Sequence, residues 1–129
     1  MKTASTIARI LLGLIFVAAG LSGFLIFHNP PQAPPGLAGA FQDVFFKSGW
    51  VLFVDAIQMI TGLLLLANRF VPLALTALAA VIFNIYIFHL TMAPIGLPAP
   101  IVVTVLWLLV ALPLRSHFAP LLVTKAASS

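Results

Sequence analysis

The sequence contains no cysteine, which excludes disulfide exchange, thiolate metal sites and a cysteine nucleophile. It is also poor in charge. Charged residues make up 6% of the 129, and only two are acidic, Asp43 and Asp55. A soluble domain carries about 25% charged residues, so this chain cannot cover itself with a polar surface. What it has instead is apolar: 63% of its residues are hydrophobic. The formal net charge of +4 invites a nucleic-acid reading. A nucleic-acid footprint needs clustered basic residues, however, and here six Lys and Arg stand singly, most at the ends of apolar stretches. No nucleic-acid partner is expected. The expected class is all-α: an integral membrane four-helix bundle, a single domain over 1–129, whose first partner is the lipid bilayer.

A bilayer core about 30 Å thick needs about 20 mainly apolar residues per helix. Four segments qualify, at about 6–27, 49–67, 72–90 and 98–114. Breakers separate them: the Pro30, Pro31, Pro34, Pro35, Gly36 group, then Asn68 and Arg69, then Pro94, Gly96 and Pro98. Pro113 is expected to kink or end the fourth span. The opening MKTASTIARILLGLIFVAAGLSG also fits a signal peptide, but a first span is expected. An even number of spans puts both termini on one side. Lys2, Arg9, Arg69, Arg115 and Lys125 then share that side, with Lys47 alone opposite. The positive-inside rule makes the termini cytoplasmic, in the cytoplasmic (inner) membrane.

The outer loop, 28–48, is the long connection. Its proline-rich half is expected to be extended. In its second half Leu37, Phe41 and Phe45 recur every fourth residue, and Asp43 and Lys47 form an i,i+4 pair. The spacing predicts a short helix over Leu37 to Lys47 lying in the outer interface. An ordinary structured loop is the plainer alternative.

Asp55 sits inside the second span. A carboxylate at the centre of a bilayer costs about 2.5–3.5 kcal/mol on insertion scales. At 1.5 Å per residue, Asp55, Asn84, Thr104 and Ser22 all fall roughly 8–10 Å below the outer ends of their spans. Gln58 lies one turn deeper on the Asp55 face, and His89 and His28 stand at the outer rim. This pattern predicts a polar pocket of Asp55, Gln58, Asn84, His89 and His28, supported by Ser22, Thr104 and Arg9. The bland reading is interhelical hydrogen-bond glue, worth about 0.6 kcal/mol per contact. It suits Ser22 and Thr104 well, while Asp55 is too costly for it. The carboxyl group is expected to be protonated and hydrogen-bonded, paired with a histidine, or hydrated. Arg9 most simply snorkels to the cytoplasmic surface, and the rim histidines also suit amphipathic anchors. Two histidines and a carboxylate can ligate a metal, but this spacing is no metal motif.

Three stretches resemble the DoxX and DoxX-like family. ARILLGLIFVAAGLSGF, with Arg9, Phe16 and Gly20, is similar to its opening helix. DAIQMITGLLLLANRFVPLAL is similar to its second, with Asp55 where glutamate is more usual and Gly62 following. NIYIFHLTMAPIGLP, with Asn84, Phe88 and His89, is similar to its third helix and turn. The resemblance spans about Ala8 to Leu114. It implies a four-helix membrane bundle. Some members of that family are subunits associated with terminal quinol oxidases or thiosulfate:quinone oxidoreductases. The shorter Asp55 carboxylate alters any site geometry the resemblance implies.

The leading functional expectation is therefore an accessory subunit in quinone-linked redox chemistry, with a quinone as candidate ligand and electrons supplied by a partner enzyme. The chain has no dinucleotide motif, no metal motif and no matched pair of haem-ligating histidines. No residue is assigned a catalytic role. An assembly or scaffold protein without chemistry is the alternative. A small transporter is less favoured, because four spans form a path only in an oligomer and no internal repeat supports alternating access.

Overall fold

The computed structural model describes residues 2–126. Its long helices are α1 (Lys2–Ile26), α3 (Trp50–Ala67), α4 (Val71–Met92) and α5 (Pro98–Ala111), with the shorter α2 (Leu37–Lys47) between α1 and α3. No strand occurs among the described residues. The helices run alternately up and down. One end of the bundle, the terminal end, gathers the start of α1, the α3–α4 turn and the end of α5, and the other carries the long loop with α2. Four helical segments are long and apolar enough to cross a membrane, the last running from Pro94 to Leu122.

Each boundary has a local cause. Pro72 occupies the first turn of α4, where its missing N–H breaks no hydrogen bond. Asn68 adopts the left-handed conformation at φ 55° and closes α3, its neighbour Arg69 bonding back to the carbonyl of Leu64 at 3.0 Å. Gly49, at φ 80°, makes the tight corner between α2 and α3 that a β-carbon would resist. Pro113 bends the chain without stopping it. After Ala111 the helix tightens to 3₁₀ over Leu112–Leu114 and resumes as α6 (Arg115–Phe118), because proline removes a donor and crowds the preceding turn. Helical structure thus outlasts the expected limit at 114 and continues to Leu122. Phe118 returns to pack near Trp107, ring centres 6.4 Å apart.

The apolar core lies towards the terminal end. Ala8, Leu12 and Phe16 of α1 meet Leu65 of α3, Ala74, Leu75 and Leu78 of α4, and Val110 and Ala111 of α5. The outward faces are apolar as well: Leu25, Phe53, Leu73 and Leu121 are each more than 60% exposed. So large and continuous an apolar exterior is unlike that of a water-soluble monomer.

The loop between α1 and α2 folds onto the helix that follows it. Gly39 of α2 sits so close to Pro34 that a Cβ there would lie 1.5 Å from the Pro34 oxygen. Gln42 Nε2 donates to Pro31 O at 3.2 Å. The helix over Leu37–Lys47 forms as its spacing predicts, with the Asp43–Lys47 pair closed at 3.0 Å. Phe41 stacks on Phe45 and reaches across to Phe88 of α4, with ring centres 5.4 and 5.3 Å away. That aromatic contact fixes α2 against the loop end of the bundle.

Candidate functional site

Asp55 lies one and a half turns into α3 and is 5% exposed. Its burial is the work of α1, which crosses α3 on glycines. A Cβ on Gly62 of α3 would lie 2.8 Å from the Gly13 oxygen of α1. Higher up, one on Gly20 would lie 2.5 Å from the Asp55 backbone oxygen. At Gly23 the backbone of α1 covers the carboxylate itself, leaving no room for any side chain. Small residues at such crossings let helix backbones approach closely, which replaces the hydrophobic drive that is missing in lipid.

The carboxylate is only half satisfied. Gln58 Nε2, one turn along the same helix, donates to Oδ1 at 3.4 Å. Oδ2 is buried and has no hydrogen-bond partner among the described residues. A buried polar oxygen without a partner costs about 1–3 kcal/mol. Asp55 is therefore a costly group held in place by close packing.

The other expected pocket residues do not converge on it. Asn84 is exposed, and its Nδ2 donates to Ala80 O of its own helix at 2.9 Å. His28 is exposed and stacks on Phe27, ring centres 5.3 Å apart. Ser22 is exposed and bonds back to Ala19 O at 2.7 Å. His89 organises the turn after α4: Nδ1 lies 3.0 Å from Ala93 O, and Gly96 packs against the imidazole. The common depth read from the sequence is thus distributed around the helices. Equal depth does not mean equal facing.

Two further polar links hold the bundle. The Tyr86 hydroxyl of α4 meets Thr104 Oγ1 of α5 at 2.8 Å and Pro100 O at 3.2 Å. Trp107 Nε1 donates to Leu75 O at 2.8 Å. Thr104 is therefore helix-joining glue, as its bland reading has it. Arg9 turns inward instead of only reaching for the surface, and Nη1 bonds the Leu65 carbonyl at the end of α3. A cation there meets the negative end of the helix dipole. Among the described residues no three His, Cys, Asp or Glu side chains come close enough to hold a metal.

Gly23 is the site residue that the sequence reading did not single out. Its signal was the spacing of Gly13, Gly20 and Gly23 along α1, which places small residues towards one partner helix. Comparison of the chain with protein-family models, curated proteins and solved structures gives no match.

Proposed function

We propose that the chain is an integral membrane protein of the cytoplasmic membrane, with cytoplasmic termini and α2 lying in the outer interface. It serves as an accessory subunit in quinone-linked redox chemistry. The observation that carries this reading is the buried Asp55 Oδ2 without a partner, beneath a stretch of α1 that is only backbone at Gly23. A slight outward shift of α1 at Gly20 and Gly23 gives a hydroxyl-bearing head group from the outer leaflet access to that oxygen. Asp55 then accepts a hydrogen bond from it, Gln58 holds the carboxylate, and the electron transfer itself belongs to a partner enzyme. The resemblance to the DoxX-like family is the second support.

The test is purification of the full chain in mild detergent, with the quinone per chain quantified by mass spectrometry. Near-stoichiometric quinone in the wild type, lost in Asp55→Asn, is the expected result. Quinone no higher than in bulk lipid, or unchanged in Asp55→Asn, overturns the reading.

A second reading, assembly without chemistry, is favoured by α2 itself. Leu37 and Val44 stand 70% and 64% exposed on a helix that Phe41 anchors to the bundle. If that face docks a partner protein, Leu37→Ser with Val44→Ser releases the partner while Asp55→Asn retains it. The opposite pattern makes Asp55, and not the α2 face, the group on which the partner depends.

A further inference from the structure

At the terminal end, far from Asp55, the bundle is indented by a cleft of about 280 Å³. One wall is the first two turns of α1. Lys2, Ser5, Thr6 and Arg9 line it, and their spacing of three and four residues puts them on one helix face. Asn68, in the turn after α3, adds a side-chain amide. The rest of the lining is apolar: Val71 at the start of α4, Val110 near the end of α5, and Pro113 and Leu114 beyond it. The cleft is therefore amphiphilic: two cations, two hydroxyls and an amide face an apolar wall.

Its charge has no internal counterpart. The chain has only two acidic side chains. Asp43 is paired with Lys47 at 3.0 Å beside the loop end. Asp55 lies about 20 Å from Asn68 along α3, at 1.5 Å per residue. One nitrogen of Arg9 is committed to the end of α3, and the helix dipole there offsets part of its charge. A guanidinium has five N–H donors in a planar fork, so donors remain for an anion in the cleft. No carboxylate side chain of this protein is therefore placed to balance the charge of the cleft. Ile7 and Leu112, beside lining residues in the sequence, are each 53% exposed, so apolar surface adjoins the polar wall.

We propose that this cleft binds the phosphate of an anionic amphiphile. Lys2 and Arg9 neutralise the phosphate, Ser5, Thr6 and Asn68 hydrogen-bond its oxygens, and the apolar wall takes the start of the acyl chains. The site is independent of Asp55 and shares with the function proposed above only its placement in a membrane. Phosphate chemistry has two sources, a lipid head group and a soluble anion, and the test separates them.

Thermal unfolding of the full chain is followed in uncharged detergent micelles. In separate arms these are supplemented with dioleoylphosphatidylglycerol, with dioleoylphosphatidylcholine, or with inorganic phosphate. The expected result is a Tm raised by several degrees by phosphatidylglycerol and much less by phosphatidylcholine. That shift disappears in Lys2→Glu, which reverses a charge in the cleft, and in Ser5→Leu, which fills it without changing charge. It persists in Lys125→Glu, where the altered charge lies outside the cleft. Stabilisation by inorganic phosphate with the same dependence on Lys2 and Ser5 supports the site with a soluble anion as its ligand, and it reads the cleft without reference to a bilayer. No stabilisation in any arm overturns the proposal. So does equal stabilisation by the zwitterionic lipid, or a loss in Lys125→Glu as large as in Lys2→Glu.

Discussion

Gly23 and Asp55 are in direct contact across the α1–α3 seam: a Cβ placed on Gly23 would sit 1.6 Å from the carboxylate Oδ2. The polar group that makes this chain unusual is thus enclosed by the smallest residue available. The pair sets both how closely the helices approach and how well the carboxylate is sealed.

Gly23→Ala should accordingly lower stability by about 1–3 kcal/mol, the usual cost of overpacking. Thermal unfolding in micelles measures it. In an Asp55→Ala background the same change should cost much less, because the opposing side chain has been shortened. Equal losses in the two backgrounds would show that the contact does not limit the seam.

Gln58 is the one side chain that hydrogen-bonds Asp55 among the described residues. Removing it in Gln58→Leu leaves the carboxyl group buried with neither oxygen partnered. A loss of about 1 kcal/mol is expected, the lower part of the range for an unsatisfied buried group, given the long 3.4 Å contact. A double-mutant cycle with Asp55→Leu should return most of that loss as coupling energy. Additive single effects would mean that the two side chains do not act together.

Arg9 joins the first turns of α1 to the last carbonyls of α3. Arg9→Gln should cost about 1–2 kcal/mol in neutral detergent, through lost charge-assisted hydrogen bonding and lost interaction with the helix dipole. Arg9→Lys should recover only part of it, because an ammonium lacks the guanidinium fork. Full recovery by lysine would reduce the role of Arg9 to bare charge.

The absence of cysteine makes topology directly measurable. Ser48→Cys at the α2–α3 corner should react with a membrane-impermeant maleimide in intact cells. Lys125→Cys should react only after the membrane is opened. The reverse pattern would invert the orientation, and labelling of both from outside would require an even number of spans between them in place of the three expected.

Much of this architecture is written in the sequence, because it follows from solvent and from local chain chemistry. Apolar runs of the right length, separated by Pro30–Pro35, Asn68–Arg69 and Pro94–Pro98, give four long helical segments in the expected order. The four-residue recurrence of Leu37, Phe41 and Phe45 gives α2 within its observed limits. Pro113 marks a break, but proline chemistry alone does not tell a kink from a stop, and the packing of Phe118 near Trp107 accompanies the continuation.

Facing is what only the tertiary structure decided. Depth follows from counting residues, whereas the direction of a side chain depends on how each helix is rotated against its neighbours. Asp55, Asn84, Thr104 and Ser22 share a level, yet Asp55 is sealed in the seam, Thr104 bridges two helices, and Asn84 and Ser22 turn outward onto their own backbones. The glycines of α1 set the rotation and closeness of its crossing with α3. That crossing left the Asp55 oxygen without a partner and drew Arg9 onto the end of α3. At the same end of the bundle, the ends of α3 and α5 meet the first turns of α1 to shape the basic cleft.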